Sequence, residues 1–383
     1  MDFQLSKEQE AIKAAVRDFA KGEFDRDVAL EHERRHTFPR DIWKKACELG
    51  FIGIHFPEAY GGQDYGILEN TLVVEELCRQ DSGLGIAISL ADFASEIILR
   101  FGTEEQKTKY LIPLTEGRAI SCGGFTEPDH GSDITAMNTT AVLEGDQWVV
   151  NGTKIFITNG TIGDYVSVLC QTDPEVSPSY RGQSVIIVER GTPGFTDSDV
   201  GEKMGIKMTS TAELSFNDVR VPASNLVGEK NRGFYHVLEF FDESRIEIAA
   251  QALGIAQGAF DRAIAYTKER KQFGRKIAEF QVTQHKLADM ATKIETARLL
   301  VYKAAWNYDQ GRIDPKLTSM AKMYAARAAV EVADEAIQLH GGYGYMLEYD
   351  VERFYRDAKI MEIYEGTREI QKNTIAGSLL GRL

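Results

Sequence analysis

The chain has 383 residues, of which 43% are hydrophobic and 27% are charged, and its formal net charge is -14. This composition is that of a folded globular protein with room for two or three packed units, and it disfavours an intrinsically disordered chain. The excess of acids, with lysines and arginines scattered among them, also disfavours nucleic-acid binding, because phosphate contacts require clustered positive charge.

The first part of the chain is predicted to be helical. Ser6 and Gln9 have the spacing of a capping box, and apolar residues then recur at helical intervals. Further helical patterns occupy residues 41–49, 67–80 and 91–119. An N-terminal helical domain over residues 1–120 is the resulting prediction.

A different pattern begins at Ser121, where short β-rich runs are separated by Gly, Asn, Asp and Pro. This pattern indicates a β domain over residues 121–228. Within it, Asn151-Gly152 lies between two such runs and predicts a hairpin turn, since both residues tolerate positive φ. Long helical periodicity then returns and predicts a C-terminal helical domain over residues 229–383.

The start of the chain bears on the cellular compartment of the protein, and its cysteines bear on disulfide and metal chemistry. Acids and bases alternate with apolar residues at the N-terminus, unlike a signal or transit peptide, so we expect a cytoplasmic protein. No stretch approaches the roughly 20 apolar residues that a membrane-spanning helix needs. The cysteines are far apart, with no CxxC pair or nearby histidine, which predicts reduced structural thiols and no metal. They are Cys47, Cys78, Cys122 and Cys170.

Two glycine-containing stretches are candidate ligand sites, and each also has a plain structural interpretation. A Rossmann unit is not predicted, because no GxGxxG joins a strand to a helix with an acid further on. HGGYGY, at residues 340–345, follows a helical pattern and fits either a helix C-cap or a close approach of backbone to a ligand. FTEPDHGSD, at residues 125–133, fits either a side-chain-stabilised loop or a cradle for phosphate or a polar ring edge.

Six segments together resemble the acyl-CoA dehydrogenases. FTEPDHGSD, NGTKIFITNG, RIEIAAQALGIAQGA, ERKQFG, QLHGGYGY and RDAKIMEIYEGTREIQ occur in the order and approximate spacing of that family. The resemblance covers essentially the whole chain and is nearest to short- and medium-chain members and to bacterial butyryl-CoA-type or alicyclic acyl-CoA dehydrogenases. It implies an α+β protein with an N-terminal α-helical domain, a middle β-barrel-like or β-sandwich domain and a C-terminal four-helix bundle.

The same resemblance implies an FAD cofactor and an obligate oligomer, expected to be a homotetramer. In the β domain the implied FAD-binding residues are Phe125, Thr126, Gly131, Ser132, Phe156 and Thr158. Those that reach the FAD of a neighbouring subunit are Arg270, Gln272, Phe273, Gln338 and Gly342, and Thr367 and Glu369 complete the set.

Glu365 matches the catalytic carboxylate of the family. By resemblance it removes the α-proton of an acyl-CoA thioester, giving a trans-2-enoyl-CoA, and electrons pass on to electron-transfer flavoprotein. The family stabilises the enolate oxygen with a backbone N–H at this glutamate and a ribityl hydroxyl of the flavin. The substrate-binding residues implied are Ser132, Asp242, Arg245, Tyr364 and Gly366, with a structural ion pair as the alternative for Arg245.

Asp92 and Glu96 lie in a region that approaches the far end of the acyl chain in relatives, where apolar or amide residues are typical. A carboxylate facing that pocket is costly without a partner, so we expect it to point to solvent or to act on the substrate. Asp92 is therefore a candidate second base for an alicyclic thioester, or a partner for a polar acyl group. A glutaryl-type substrate is less favoured, because no arginine is evident here. An acyl-CoA oxidase and a non-catalytic assembly factor of the same fold remain alternatives.

Overall fold

The computed structural model describes residues 4–381, so residues 1–3 and 382–383 of the predicted domains lie outside the described range. The first part is helical and contains α1 (Lys7–Glu23), α2 (Arg26–Arg35), α3 (Arg40–Glu48), α4 (Ile67–Gln80), α5 (Ser82–Ser89), α6 (Ser95–Phe101) and α7 (Glu104–Thr115). The predicted capping box begins α1: the Ser6 hydroxyl accepts from the Gln9 N–H, and the Gln9 side chain accepts from the Ser6 N–H.

The helical pattern predicted over residues 91–119 is wrong in detail, because the chain is interrupted twice there. Ala94 adopts a left-handed φ of 68°, which a continuing helix excludes, and α6 starts only after it. Gly102 then ends α6, and Thr103 caps α7. Helix α5 was missed because its glycines weaken the helical signal. A Cβ at Gly85 would lie 2.6 Å from the backbone of α4, so close helix packing accounts for that glycine.

The middle part contains the strands β1 (Ser121–Gly124), β2 (Thr140–Glu144), β3 (Gln147–Thr158), β4 (Tyr165–Gln171), β5 (Gln183–Glu189), β6 (Phe195–Asp199), β7 (Thr211–Pro222) and β8 (Leu226–Val227). They form one sheet in the order β6-β7-β3-β2-β4-β5-β8, with β1 paired in parallel to β4. Only one residue pair, Thr140 with Gln171, joins β2 to β4, so the sheet divides there into two halves. Apolar side chains of both halves share one core, as the predicted sandwich requires.

The hairpin predicted at Asn151-Gly152 is wrong. The turn between β2 and β3 lies at Gly145 and Asp146, and β3 continues through Asn151. Gly152 sits instead at a shift in the pairing of β3 with β7, with a φ of 143°, and a Cβ there would lie 2.5 Å from Thr139 Oγ1. The Asn-Gly signal therefore marks a bulge that needs glycine.

The last part contains α8 (Gly233–Glu269), β9 (Lys271–Gln272), β10 (Arg275–Lys276), α9 (Gln281–Asp309), α10 (Pro315–His340), α11 (Val351–Ala358) and α12 (Arg368–Leu380). Helix α10 packs against α8, α9 and α12, which forms the predicted four-helix bundle. Helix α8 also packs against α4, so the bundle is joined to the N-terminal helices. Within residues 4–381, no helix is both long and apolar enough to cross a membrane.

Candidate active site

A cavity of about 650 Å³ lies where the β domain meets the C-terminal bundle. Its volume is within the usual range for small-molecule sites. Many of the predicted site residues line it, although they are far apart in the sequence. They are Phe125, Thr126, Gly131, Ser132, Phe156, Thr158, Tyr364, Glu365, Gly366 and Thr367.

The turn that carries Glu365 lies between α11 and α12 and has an unusual backbone. Glu365 has a φ of 53° and Gly366 a φ of 89°. A left-handed conformation is uncommon for a residue with a side chain, and such strain often accompanies a functional constraint. At Gly366 a Cβ would lie 2.7 Å from Gln371 Nε2, so the turn requires glycine.

The Glu365 carboxylate is half-buried, and among residues 4–381 it has one direct side-chain partner. Ser244 on α8 donates to its Oε2 at 2.7 Å. Burial raises the pKa of Glu365, while the Ser244 hydrogen bond and the charges of Arg245 and Lys322 act in the opposite direction. A carboxylate whose pKa is raised toward the working pH suits proton abstraction from a weak carbon acid.

Lys322 on α10 holds this turn from beneath. Its ammonium donates to the carbonyl oxygens of Tyr364 and Gly366, each at 2.7 Å, and the residue is only 1% exposed. Burial lowers the pKa of Lys322 to about 7. Lys322 was not predicted as a site residue from the sequence. A lysine among the buried alanines of α10, which include Ala321 and Ala325, was the available indication of a special role.

Tyr364 is fixed by a chain of buried polar groups. Its hydroxyl donates to Gln251 Oε1 at 2.6 Å, and Gln251 Nε2 donates to Ser89 Oγ at 3.0 Å. This chain joins the site to α8 and α5. Neither Gln251 nor Ser89 was identified from the sequence.

The β-domain wall of the cavity combines an aromatic surface with hydroxyl groups. Phe156 has a φ of 59° and is 65% exposed, although it lies on a strand that is otherwise largely covered. Four hydroxyl residues of the β domain line this wall, Thr126, Ser132, Thr158 and Thr211, and a Cβ at Gly131 would meet open space. Behind the wall, Lys154 donates to Glu127 Oε1 at 2.8 Å and to the carbonyl of Phe125 at 3.3 Å. This buried pair fixes the loop that carries the wall.

A second cavity of about 590 Å³ lies at the end of α10 and shares no lining residue with the first. The predicted residues Arg270, Gln272, Gln338 and Gly342 line it. Phe273, on the same loop as Arg270, is 93% exposed and has a φ of 52°. Glu369 lies in the first turn of α12, exposed and outside both cavities.

Asp242 and Arg245 form a loose pair on α8. Their nearest atoms are 4.0 Å apart, and the Arg245 guanidinium lies 5.6 Å from the centre of the Phe241 ring. Arg245 is buried, and its Nε has no hydrogen-bond partner within residues 4–381. Burial raises the pKa of Asp242 to about 6. Neither residue lines the first cavity, and the charge of Arg245 acts on Glu365.

Asp92 and Glu96 are buried, which excludes the solvent-facing alternative. The Asp92 carboxylate accepts from the backbone of Gly53, and burial raises its pKa to about 7. Burial and nearby carboxylates raise the pKa of Glu96 well above its ordinary value. His55 Nε2 lies 3.9 Å from Glu96 Oε1 and 3.6 Å from Glu243 Oε1. Neither Asp92 nor Glu96 lines the cavity.

Comparisons with known proteins cover the whole chain. Three family profiles match in order: "Acyl-CoA dehydrogenase, N-terminal domain" over residues 6–118, "Acyl-CoA dehydrogenase, middle domain" over residues 122–219 and "Acyl-CoA dehydrogenase, C-terminal domain" over residues 231–380. The chain is 45% identical over 380 residues to the short-chain specific acyl-CoA dehydrogenase of Clostridium acetobutylicum, spanning 99% of this chain and 100% of that protein.

Two further similarities are equally complete. The chain is 40% identical over 377 residues to the caffeyl-CoA reductase-Etf complex subunit CarC of Acetobacterium woodii, spanning 98% of this chain and 99% of that protein. Among solved structures, butyryl-CoA dehydrogenase from Megasphaera elsdenii has a TM-score of 0.95 at 42% identity, spanning 99% of this chain and 100% of that one.

Proposed function

Because this chain belongs to the acyl-CoA dehydrogenase family, we propose that it catalyses the FAD-dependent α,β-dehydrogenation of a short-chain acyl-CoA thioester to the trans-2-enoyl-CoA. The family consists of flavin-dependent oxidoreductases, so the chain is an enzyme of that class. The observation that carries the proposal is the Glu365 carboxylate, which is placed on a strained turn at the cavity and accepts from Ser244.

In this proposal Glu365 accepts the α-proton of the thioester. The α-proton is weakly acidic, and its removal leaves an enolate whose oxygen requires hydrogen-bond donors. The raised pKa of Glu365 brings the basicity of its carboxylate closer to that of the enolate, which favours proton transfer. The backbone N–H of Glu365 belongs to the same turn and is the donor proposed for the enolate oxygen.

The walls of the first cavity fit FAD. The exposed ring of Phe156 and the buried ring of Phe125 offer surface to a planar aromatic ligand, and Thr126 and Thr158 offer hydroxyl groups for its polar edge. Ser132 and the open space beside Gly131 suit the pyrophosphate, with Thr367 and Glu369 as further proposed contacts. When bound, the flavin would accept the β-hydrogen as a hydride, and with it the two electrons that leave the substrate.

The second cavity supports the proposed homotetramer. An arginine beside glycine backbone suits a negatively charged, partly planar ligand, and Arg270 and Gly342 provide that combination. Phe273 follows Gln272 in the sequence, and its exposed ring is a surface that a neighbouring subunit and its FAD would cover. Gln272 and Gln338 complete the proposed contacts. Dihedral assemblies bring such surfaces together in symmetric pairs.

Electron-transfer flavoprotein is the proposed electron acceptor, because one relative is a subunit of a reductase-Etf complex. A short-chain substrate is supported by the names of the relatives from Clostridium acetobutylicum and Megasphaera elsdenii. The alicyclic alternative gains no support from these relatives. Asp92, its proposed second base, also lies outside the lining of the cavity.

The test is anaerobic titration of the purified flavoprotein with butyryl-CoA while the visible flavin absorbance is recorded. The wild-type flavin should bleach, and Glu365→Gln should retain FAD and bind product but not bleach. Failure of every saturated straight-chain thioester from propionyl-CoA to octanoyl-CoA to bleach the flavin would refute the proposal. Reduction of electron-transfer flavoprotein without peroxide formation separates a dehydrogenase from an oxidase, and a preparation that cannot be loaded with FAD would indicate an assembly factor.

A further inference from the structure

Three consecutive carbonyl groups of the catalytic turn point into the protein. Lys322 Nζ donates to the carbonyls of Tyr364 and Gly366, each at 2.7 Å. Gln371 Nε2 donates to the carbonyl of Glu365 at 2.9 Å and to that of Gly366 at 3.0 Å. Both side chains are essentially inaccessible to solvent. Two buried residues on different helices therefore hold every carbonyl from Tyr364 to Gly366.

The N–H groups of the same peptide units must point the other way. In a planar trans peptide the N–H is opposite to the C=O, so the carbonyls fix the N–H groups of Glu365, Gly366 and Thr367. Within residues 4–381, none of these three N–H groups donates to an acceptor of the protein. Successive free N–H groups in a turn with positive φ form a concave site for a negatively charged oxygen. All three residues line the first cavity.

We propose that Lys322 is a positioning residue for proton abstraction: by binding the carbonyls of Tyr364 and Gly366, it turns the N–H of Glu365 toward the enolate oxygen and strengthens it as a donor. This inference rests on the function proposed above and concerns the same site. A cation on the carbonyl polarises the peptide unit, and hydrogen bonds in series strengthen one another. Gln371 assists without charge.

Packing alone does not require a charged side chain at position 322. A buried ammonium is costly, and an apolar side chain would fill the same space among the alanines of α10. The charged groups that act on it are the carboxylates of Glu365 and Glu362 and the guanidinium of Arg245. The charge of Lys322 is thus coupled to that of Glu365, so its proton state and its hydrogen bonds to the turn both affect the base.

Two measurements on the FAD-loaded enzyme test the inference without relying on turnover. The first is exchange of the α-protons of (methylthio)acetyl-CoA in D₂O, since sulfur replaces the β-carbon and oxidation is impossible. The second is the ratio of the dissociation constants of acetoacetyl-CoA, which binds as an enolate, and crotonyl-CoA, which is neutral. Lys322→Met should slow exchange at least about tenfold, and by no more than the 10²–10³-fold that loss of an oxyanion donor costs.

In the same variant, the dissociation constant of acetoacetyl-CoA should rise at least about tenfold more than that of crotonyl-CoA. Lys322→Gln keeps a hydrogen-bond donor without the charge, so it should change the ratio of dissociation constants less than Lys322→Met does. It serves as the test of the inference if Lys322→Met does not fold. Lys322→Arg keeps the charge and should restore part of the ratio. Val332→Ala, about 15 Å further along α10, controls for general loosening of the helix.

The outcomes separate the inference from the proposed function. Wild-type exchange that is absent in Glu365→Gln supports the proposed function. The positioning role is refuted, and Lys322 is structural, if Lys322→Met and Lys322→Gln catalyse α-proton exchange at the wild-type rate. The same conclusion follows if both variants bind acetoacetyl-CoA and crotonyl-CoA more weakly by an equal factor. If the wild-type enzyme itself exchanges no α-proton, the proposed function fails and the inference fails with it.

Discussion

The hydroxyl of Ser244 donates a hydrogen bond of 2.7 Å to Oε2 of Glu365. The bond connects α8 with the turn before α12, so the base is held by two helices that are far apart in the sequence. A hydroxyl that donates to a carboxylate favours the ionised form, and this bond opposes the effect of burial on the pKa of Glu365. Ser244 therefore adjusts the pKa of the base.

Ser244→Ala should raise the pKa of Glu365 further, because the favourable hydrogen bond to its ionised form is lost. A hydrogen bond to a charged group contributes about 1.5–3 kcal/mol, which corresponds to a shift of about one to two pKa units. The rate of α-proton exchange measured against pH should therefore keep its plateau while its acid limb moves to higher pH. Ser319→Ala removes another buried hydroxyl, one without a partner in residues 4–381, and should leave the profile unchanged. A uniform loss at every pH would contradict this role for Ser244.

Gly366→Ala should impair the site more than the fold. The added Cβ would lie 2.7 Å from Gln371 Nε2, and the φ of 89° is one that alanine resists. We expect Gln371 to be displaced and the α-proton exchange rate to fall at least about tenfold, with a stability loss of about 1–3 kcal/mol. Urea denaturation and the exchange assay measure the two effects. Gly377→Ala is the matched control in α12, where a Cβ meets nothing within 4 Å, and it should stabilise the protein by about 0.5–1 kcal/mol.

The order of helical, β and helical domains was predictable, because it depends on hydrophobic periodicity and on the glycine and proline residues that end helices and strands. The errors have local causes. Ala94 breaks a helical pattern through a left-handed conformation that nothing in its side chain announces. Asn151-Gly152 has the composition of a turn but forms a bulge, because the pairing of β3 with β7 determines the conformation there. The predicted domain boundaries remain predictions.

Segments that resemble the family pointed to Glu365, Gly366 and the cavity wall, since these residues lie in continuous motifs. Ser244 and Lys322 contact this turn across 121 and 44 residues of sequence, and a single sequence does not show such pairs. Gln371 lies six residues from Glu365, inside the motif RDAKIMEIYEGTREIQ, but the motif does not indicate that its side chain binds the turn. Their own types gave only weak signals, of which the buried position of Lys322 among alanines was the clearest. The site was therefore predictable for its motifs and not for the side chains that adjust its base.

Asp92→Asn should stabilise the protein at neutral and alkaline pH. Burial raises the pKa of Asp92 from 3.8 to about 7, so the stability it contributes is present below pH 3.8 and is lost as the pH rises to about 7. An amide avoids that loss and still accepts from the backbone of Gly53. The gain of the variant should grow between about pH 4 and pH 7 and then level off, at on the order of 4 kcal/mol at most.

Urea denaturation of Asp92→Asn and wild type at about pH 5 and pH 8 measures this difference. Asp18→Asn changes an exposed acid on α1 and should remain within about 0.5 kcal/mol of wild type at both values. A gain that does not depend on pH would contradict the sign derived for Asp92. The same variant tests the second-base hypothesis, since α-proton exchange should survive if Glu365 alone removes the proton.

Arg353→Met should destabilise the protein strongly, because it leaves the buried carboxylate of Asp81 without its cation, whereas Glu33 keeps its ion pair with Arg356. Arg353 on α11 is 1% exposed and pairs with Asp81, which caps α5, and with Glu33 of α2 at 3.3 Å. Loss of one partner from a buried ion pair costs about 3–5 kcal/mol. Arg118→Met, whose partner Glu116 is exposed, should cost less than about 1 kcal/mol. Because α11 leads into the catalytic turn, Arg353→Met should also release bound FAD at a lower temperature than wild type during thermal unfolding. Release at the same temperature in both proteins would show that this ion-pair network does not support the site.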